Sequence, residues 1–433
     1  MTYLSMLLRR AVVPALLSAT LIPAFAADWP NWRGPTLDGA SGEATLPDKL
    51  DASTQVWATE LPGPSSGTPV VWGNHIFLPS IDKATANLMA LCVERTTGKI
   101  LWNHIVSPSL ANNSRNDLAA PSAVTDGKVA IFLYGSGDLA AYTVEGKPLW
   151  ARNLQKEHGK FEIMWLYGSS PLLAGNRLFV QVLQNDGKKP ADQPSASFLK
   201  AIDPMTGKDI WHQWRPTEGK DEALESYGTP ILYTANGREE LALFGGDLVT
   251  AHDPATGKEL WRSDGYNEKR SKNWRSIPGS AFIDGKVVSI TARGGRTFAV
   301  KPGGSGDVTA NNVVWNTTEV TSDVCMPLFY QGKMYVVDGD KKIVRCVDPK
   351  TGTVQWQGEL PAKAVLRASP TGGGGRIYTM DETGTVFVLA TNEFKILGTY
   401  ALGAGGTARS TVVLSHGQVI VRTAEKLFAF GAK

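Results

Sequence analysis

The chain has 433 residues and a formal net charge of +3, with 42% hydrophobic and 20% charged residues. That balance excludes a disordered chain and a nucleic-acid binder driven by bulk charge. The informative totals are 45 Gly and 13 Trp: Gly at about 10%, against a usual 7%, points to many short strands and tight turns rather than helix bundles.

Residues 1–26 read as a cleavable secretory leader. A basic pair, Arg9 and Arg10, precedes the apolar run AVVPALLSATLIPAFA, which ends in the small-x-small site Ala24-Phe25-Ala26. The run is interrupted by Pro14 and Pro23 and is shorter than the roughly 20 residues a span requires. Cleavage is expected after Ala26. Ala27 rather than Cys follows, so neither a membrane span nor a lipid anchor is expected, and the location is periplasmic or secreted. Residues 27–53 form an N-terminal extension, and 54–433 the body.

The body is one repeated unit. AIDPMTGKDIW (201–211), AHDPATGKELW (251–261) and CVDPKTGTVQW (346–356) align without gaps, with CVERTTGKILW (92–102) close behind. AYTVEGKPLW (141–150) is one residue shorter, and AVKPGGSGDVTANNVVW (299–315) has a longer turn. VLATNEFKILG (388–398) ends in Gly398 instead of Trp, and QVWATEL (55–61) carries only the final half. These unit ends recur at intervals averaging about 49 residues, a period that signals a propeller or solenoid. Each unit reads as strand, turn, strand: Pro presets φ, Asp bonds back to the backbone, and Gly takes a positive φ. Trp57, Trp102, Trp150, Trp211, Trp261, Trp315 and Trp356 are thereby assigned to packing between units and not to ligand stacking.

Upstream of each motif lies a second hairpin with a small-residue first strand, as in SSGTPVVWGNHIFLPS (65–80) and APSAVTDGKVAIFLYG (120–135). Eight such hairpins occur, and each repeat becomes a four-stranded antiparallel blade. The eighth has three strands, ending in KLFAF (426–430), and the orphan QVWATEL supplies its fourth. The expected fold is therefore all-β, an eight-bladed β-propeller closed by an N-terminal strand, which also protects two sheet edges.

The recurring A-x-D-x-x-T-G-K-x-x-W resembles the repeat of pyrroloquinoline-quinone (PQQ) propellers. That superfamily contains quinoprotein alcohol dehydrogenases and the outer-membrane-assembly propeller BamB. The opening DWPNWRGPTLDGASGE (28–43) resembles that of secreted PQQ-like propeller proteins. The resemblance to the dehydrogenases implies a vicinal Cys-Cys disulfide and a Trp about the quinone, with Ca²⁺ held by Glu, Asn and Asp. The chain has no Cys-Cys pair: Cys92, Cys325 and Cys346 stand apart and read as buried small hydrophobes. No cofactor or metal is expected, with PQQ and Ca²⁺ as the alternative.

Other chemistry is absent by motif. The six histidines show no metal-ligand spacing, and Gly372–Gly375 precede a strand, not a phosphate-binding helix. Attention passes to the segments that join one blade to the next, which run toward the axis. They carry Asn116, Asp117, Trp165, Tyr167, Glu225, Tyr227, Trp274, Arg275, Asp323, Arg367 and Arg409. Such residues around a funnel suit a small planar anion, a carbohydrate or a peptide segment. The longer connections 155–170, 184–197 and 264–276 are the expected protrusions for a partner. The leading expectation is an exported, non-catalytic interaction or scaffolding propeller whose partner is another envelope protein or peptide, without nucleic acid. A quinone- or other small-ligand-dependent oxidoreductase is the alternative. Trp29, Trp32, Arg33 and Gly34 are expected to dock on the propeller wall.

Overall fold

The computed structural model describes residues 28–109, 115–291, 295–403 and 405–432; the leader expected over 1–26 lies outside them. The strands form eight antiparallel four-stranded sheets that follow one another around a ring. Blades 1 to 7 span 70–108, 124–153, 172–214, 231–263, 280–317, 328–359 and 371–401. Blade 8 takes its three inner strands from 413–430 and its outermost from Gln55–Glu60, with Trp57 opposite Ala429 and Glu60 opposite Lys426. The ring is closed by the N-terminal strand, as the repeat count requires.

The turn motif explains the regularity of the outer hairpins. In blade 3, Asp203 Oδ1 accepts the Met205 and Thr206 N–H groups at 2.9 Å, and Gly207 follows at φ +70°. A β-bulge then shifts the register by one residue, so that Trp211 stands opposite Ala201. The same bulge sets Trp102 against Cys92, Trp150 against Ala141, Trp261 against Ala251, Trp315 against Ala299 and Trp356 against Cys346. Two of the cysteines thus occupy the place where a small side chain must face an indole. All three cysteines are buried free thiols.

Each indole also reaches the next blade. Trp57 Nε1 donates to Arg95 O at 2.7 Å, Trp102 to Val144 O at 3.0 Å, Trp150 to Pro204 O at 2.9 Å, Trp211 to Pro254 O at 3.1 Å and Trp315 to Pro349 O at 3.0 Å. The rings lie against Gly98, Gly146, Gly207, Gly257 and Gly352, where a Cβ would collide with them. Two tryptophans depart from the pattern. Trp261 donates instead to Glu240 Oε2 at 2.8 Å, because blade 5 has replaced the short turn by 301–312. Part of that turn, Gly306–Asp307, pairs parallel with Trp261 and Arg262 as a fifth strand of blade 4. Trp356 Nε1 has no partner, and its ring meets Phe394, since the blade 7 turn lacks the Asp-Pro and Gly.

The inner strands are tied by a hoop of hydrogen bonds at one level around the axis. Backbone N–H groups donate to side chains of the next blade: Gly279 to Met326 Sδ, Met326 to Ser369 Oγ, Thr411 to Thr68 Oγ1, Thr68 to Ser122 Oγ and Ser122 to Ser170 Oγ. Between blades 4 and 5 the same level holds Gly228 against Gly279, so close that a Cβ on Gly228 would lie 2.6 Å from the Gly279 Cα. The small residues of the first strands thus serve close approach at the axis, where the blades converge.

Candidate functional site

The N-terminal segment crosses the axis. Trp29 exchanges backbone hydrogen bonds with Val71 of blade 1, Pro30 O accepts from Thr125 of blade 2, and Asn31 Oδ1 accepts from Leu173 N of blade 3. Further on, Asp38 O accepts from Phe329 of blade 6, Gly39 O from Gly372 of blade 7, and Ser41 Oγ donates to Leu414 O of blade 8. These are innermost strands on opposite sides of the ring, so the segment closes one end of the bore. It docks on the inner strands of the propeller.

Buried groups hold this plug. Trp29 is wholly buried and its ring packs on Gly34, whose φ of +81° favours glycine. Arg33, also buried, donates to Pro327 O and Pro370 O at 3.0 Å and to Asp38 O at 3.2 Å. Burial pulls the Arg33 pKa down to about 10, with Asp38 acting in the opposite sense.

Above the plug lies a cavity of about 420 Å³, with Trp32 in its lining. The Trp32 Nε1 donates to Thr411 Oγ1 at 3.3 Å, at the level of the hoop, which makes the indole the cavity floor. Seven of the eleven residues singled out by sequence line it: Asn116, Trp165, Tyr227, Arg275, Asp323, Arg367 and Arg409. They come from different blade connections and meet only because those connections converge on the axis.

The wall is a charged network. Trp165 Nε1 donates to Glu222 Oε1 at 3.1 Å, and Arg275 bridges Glu222 and Asp323 at 3.3 and 3.4 Å. Arg367 pairs with Asp340, and Arg409 with Glu382, each at 2.7 Å. The Arg115 guanidinium lies 4.5 Å from the Trp165 ring centroid. The lining holds four arginines (115, 275, 367, 409) and two carboxylates, Asp323 and Glu382, while Glu222 and Asp340 pair with Arg275 and Arg367 from behind it.

The other four candidates stand behind or beside the wall. Asp117 takes the Ser66 N–H and hydroxyl at 3.0 and 2.7 Å, fixing a connection. Tyr167 is buried and donates to Gln181 O at 2.7 Å. Trp274 is half-buried and outside the lining. Glu225 is buried behind Tyr227, its Oε2 accepting Met164 N–H at 3.1 Å and Tyr227 O–H at 2.9 Å. Burial raises its pKa to about 7, against the pull of those two hydrogen bonds.

Two contributors were invisible to a search of blade connections, and a third was passed over in one. Trp32 belongs to the plug, Glu382 sits in the hairpin turn between two strands of blade 7, and Arg115 stands beside Asn116 in the connection between blades 1 and 2. The WP-x-WRGP opening was the only signal that could have led to Trp32.

The residues do not fit the calcium-and-disulfide set of the quinoprotein dehydrogenases. Among the described residues, no group of three or more His, Cys, Asp or Glu side chains is arranged for a metal ion. Glu222, Asp323, Asp340 and Glu382 each face an arginine. The thiols are single and buried, and burial pushes those of Cys92 and Cys325 up to about 12.

A ring of eight PQQ-like blades, plugged at one end and open as an arginine-lined funnel at the other, defines the class of this protein. Residues 48–186 and 340–431, more than half of the chain, match the family described as outer membrane protein assembly factor BamB, and the chain belongs to that family. The unmatched stretch contains blade 4 and blade 5, where Trp261 and the long turn break the repeat. Among solved structures, BamB from Moraxella catarrhalis is 15% identical with a TM-score of 0.61, over 88% of this chain and 99% of that one. A europium-containing methanol dehydrogenase is 11% identical with a TM-score of 0.68, covering 94% of this chain and 98% of its own. Quinohemoprotein alcohol dehydrogenase from Comamonas testosteroni is 11% identical with a TM-score of 0.64, covering 94% and 80%. At such identities the likeness is one of fold. No curated protein matches the chain by sequence. Among the described residues, no helix is long and apolar enough to cross a membrane.

Proposed function

We propose that the protein is an exported, non-catalytic propeller that acts as an interaction or scaffolding module in the cell envelope, with an envelope protein or peptide as its partner. One observation carries this reading: the described carboxylates around the funnel are committed to arginines or, for Glu225, to Tyr227, and no metal-binding group is found among the described residues. The family membership supports it, and the funnel offers the concave, polar-rimmed surface a partner needs.

A quinone- or small-ligand-dependent oxidoreductase is the second reading. It draws on the arginine- and tryptophan-lined cavity and on the likeness in fold to a methanol dehydrogenase. Titration of the mature chain with PQQ and Ca²⁺, followed by absorbance and by dye-linked oxidation of alcohols and sugars, separates the two. No turnover is expected. Tight PQQ binding with turnover would replace the first reading by the second.

A further inference from the structure

The bore of this propeller is blind. A segment of 28–43 crosses it and bonds to inner strands of blades 1, 2, 3, 6, 7 and 8, and the cavity above ends on Trp32. An extended polypeptide therefore cannot thread through the ring, and only a chain end or a small molecule can reach the floor. The electrostatics choose between the two ends of a chain. Four arginines and two carboxylates line the cavity, with Glu222 and Asp340 paired to Arg275 and Arg367 from behind; guanidinium donors on the wall can bond a carboxylate and offer nothing to an ammonium group.

Two of those arginines have donors to spare. The Arg275 side chain is only 6% exposed, and its Nε has no hydrogen-bond partner; its two ion pairs are long, at 3.3 and 3.4 Å. Arg367 Nη1 is likewise buried without a partner, while its Nη2 holds Asp340. A buried guanidinium with an unmade bond costs free energy that an incoming acceptor would recover. Arg367 precedes the hoop residue Ser369 by two positions, and Arg275 precedes the hoop residue Gly279 by four; Ser369, like Trp32, lines the cavity. Two residues of extended chain rise about 7 Å. That separation matches a terminal residue lying with its side chain on the Trp32 indole and its carboxylate at the level of Arg367, with Arg275 also on the wall. The cavity, about 420 Å³, lies within the usual range of roughly 300–1,000 Å³ for small-ligand sites.

We propose that the funnel captures the free C-terminal carboxylate of a partner polypeptide, with Arg275 and Arg367 on the carboxylate and Trp32 under an apolar terminal side chain. This rests on the interaction-module reading and names the part of the partner that is recognised. Capture of a terminal carboxylate is a recognised binding mode, and it needs little area when donors are preorganised.

The test uses fluorescein-labelled Gly-Ser-Gly-Ser-Phe as the free acid and as the C-terminal amide, with the mature chain and polarisation as the readout. The acid should bind at least tenfold more tightly than the amide, and more weakly as salt is raised. Arg275→Gln with Arg367→Gln should abolish that preference, and Arg275→Lys should restore part of it; unchanged near-UV circular dichroism verifies the fold. Trp32→Ala should erase the preference for a terminal Phe over a terminal Ser while keeping that for acid over amide. Equal binding of acid and amide overturns the proposal, as does displacement of the peptide by galacturonate or inorganic phosphate at matching concentration, which would mark a small-anion site. If the peptides fail to bind while a photo-crosslinker at position 116 still captures an envelope protein, the terminus is wrong and the interaction reading stands. If PQQ turnover is seen instead, both fall.

Discussion

Replacing Trp57 by Ala tests how the ring is held shut. Trp57 is 8% exposed, donates to Arg95 O at 2.7 Å and rests on Gly98, while its neighbour Thr59 donates to Gly98 O at 2.6 Å. Those bonds join blade 8 to blade 1 through a strand that no hairpin connects to its own sheet. Truncating a buried Trp to Ala costs about 3–5 kcal/mol. An unfolding entropy of roughly 2.1 cal/mol/K per residue over about 400 residues gives ~0.85 kcal/mol/K, so Tm should fall by about 4–6 °C. The assay is a thermal melt by circular dichroism beside two controls. Trp211→Ala removes an equivalent indole from an internal blade and should lower Tm comparably with one sharp transition. Ile105→Ala, at a site 63% exposed, should shift Tm by less than 1 °C. Only Trp57→Ala should broaden the transition and speed proteolysis within 54–62. A Tm shift no larger than that of Ile105→Ala, or a transition as sharp as that of Trp211→Ala, would refute the closing role.

Deleting 54–62 outright should leave the third strand of blade 8 as an exposed edge and sharply reduce soluble yield; a monomeric product with the parent's melting curve would contradict the ring closure. Gly39→Ala places a Cβ on the Arg33 guanidinium at φ +87°, combining left-handed strain of about 1–2 kcal/mol with disturbed charged hydrogen bonds. It should loosen the plug, seen as a red-shifted tryptophan emission and faster cleavage within 28–43 with blade structure intact; an unchanged cleavage rate would show the plug is held otherwise. Glu225, raised to about 7 from an ordinary 4.5, keeps its proton in the fold where the unfolded chain has lost it. Its contribution to stability is full below pH 4.5 and lost as pH rises through 7, on the order of 3 kcal/mol. Trp165, whose backbone N–H donates to the Tyr227 hydroxyl that bonds Glu225, should report a fluorescence midpoint near pH 7 that Glu225→Gln removes; persistence of the midpoint would assign it elsewhere.

The propeller was legible because its repeat is written in residues that do one job each. The Asp-Pro-x-Thr-Gly turn, the bulge and the Trp at a fixed offset are local consequences of backbone chemistry, so seven copies speak for the same hairpin. Where the turn of the next blade lost the motif, the indole found another contact, as Trp261 does with Glu240 and Trp356 with Phe394. The funnel was only half legible. Residues preceding each first strand were drawn to the axis by topology alone, which brought Arg275, Arg367 and Arg409 together. Nothing local distinguishes Tyr167, which turns into the core, from Tyr227, which faces the cavity. Trp32 was the hardest to place, since its position depends on inner strands more than a hundred residues downstream, such as Leu173 beside Asn31.

The closing strand has a consequence for the order in which this molecule takes shape. Gln55 pairs with Phe430, so one of the first segments to emerge waits for one of the last. The entropy of joining such distant ends grows only slowly with length, by about 0.6 kcal/mol per doubling, but the search is long, and contacts of high sequence separation form late. The plug shares that fate, because Ser41 needs Leu414 and Trp32 needs Thr411. An unfinished chain therefore holds an open row of blades with neither latch nor floor, and the funnel comes into being in the same step that ends folding.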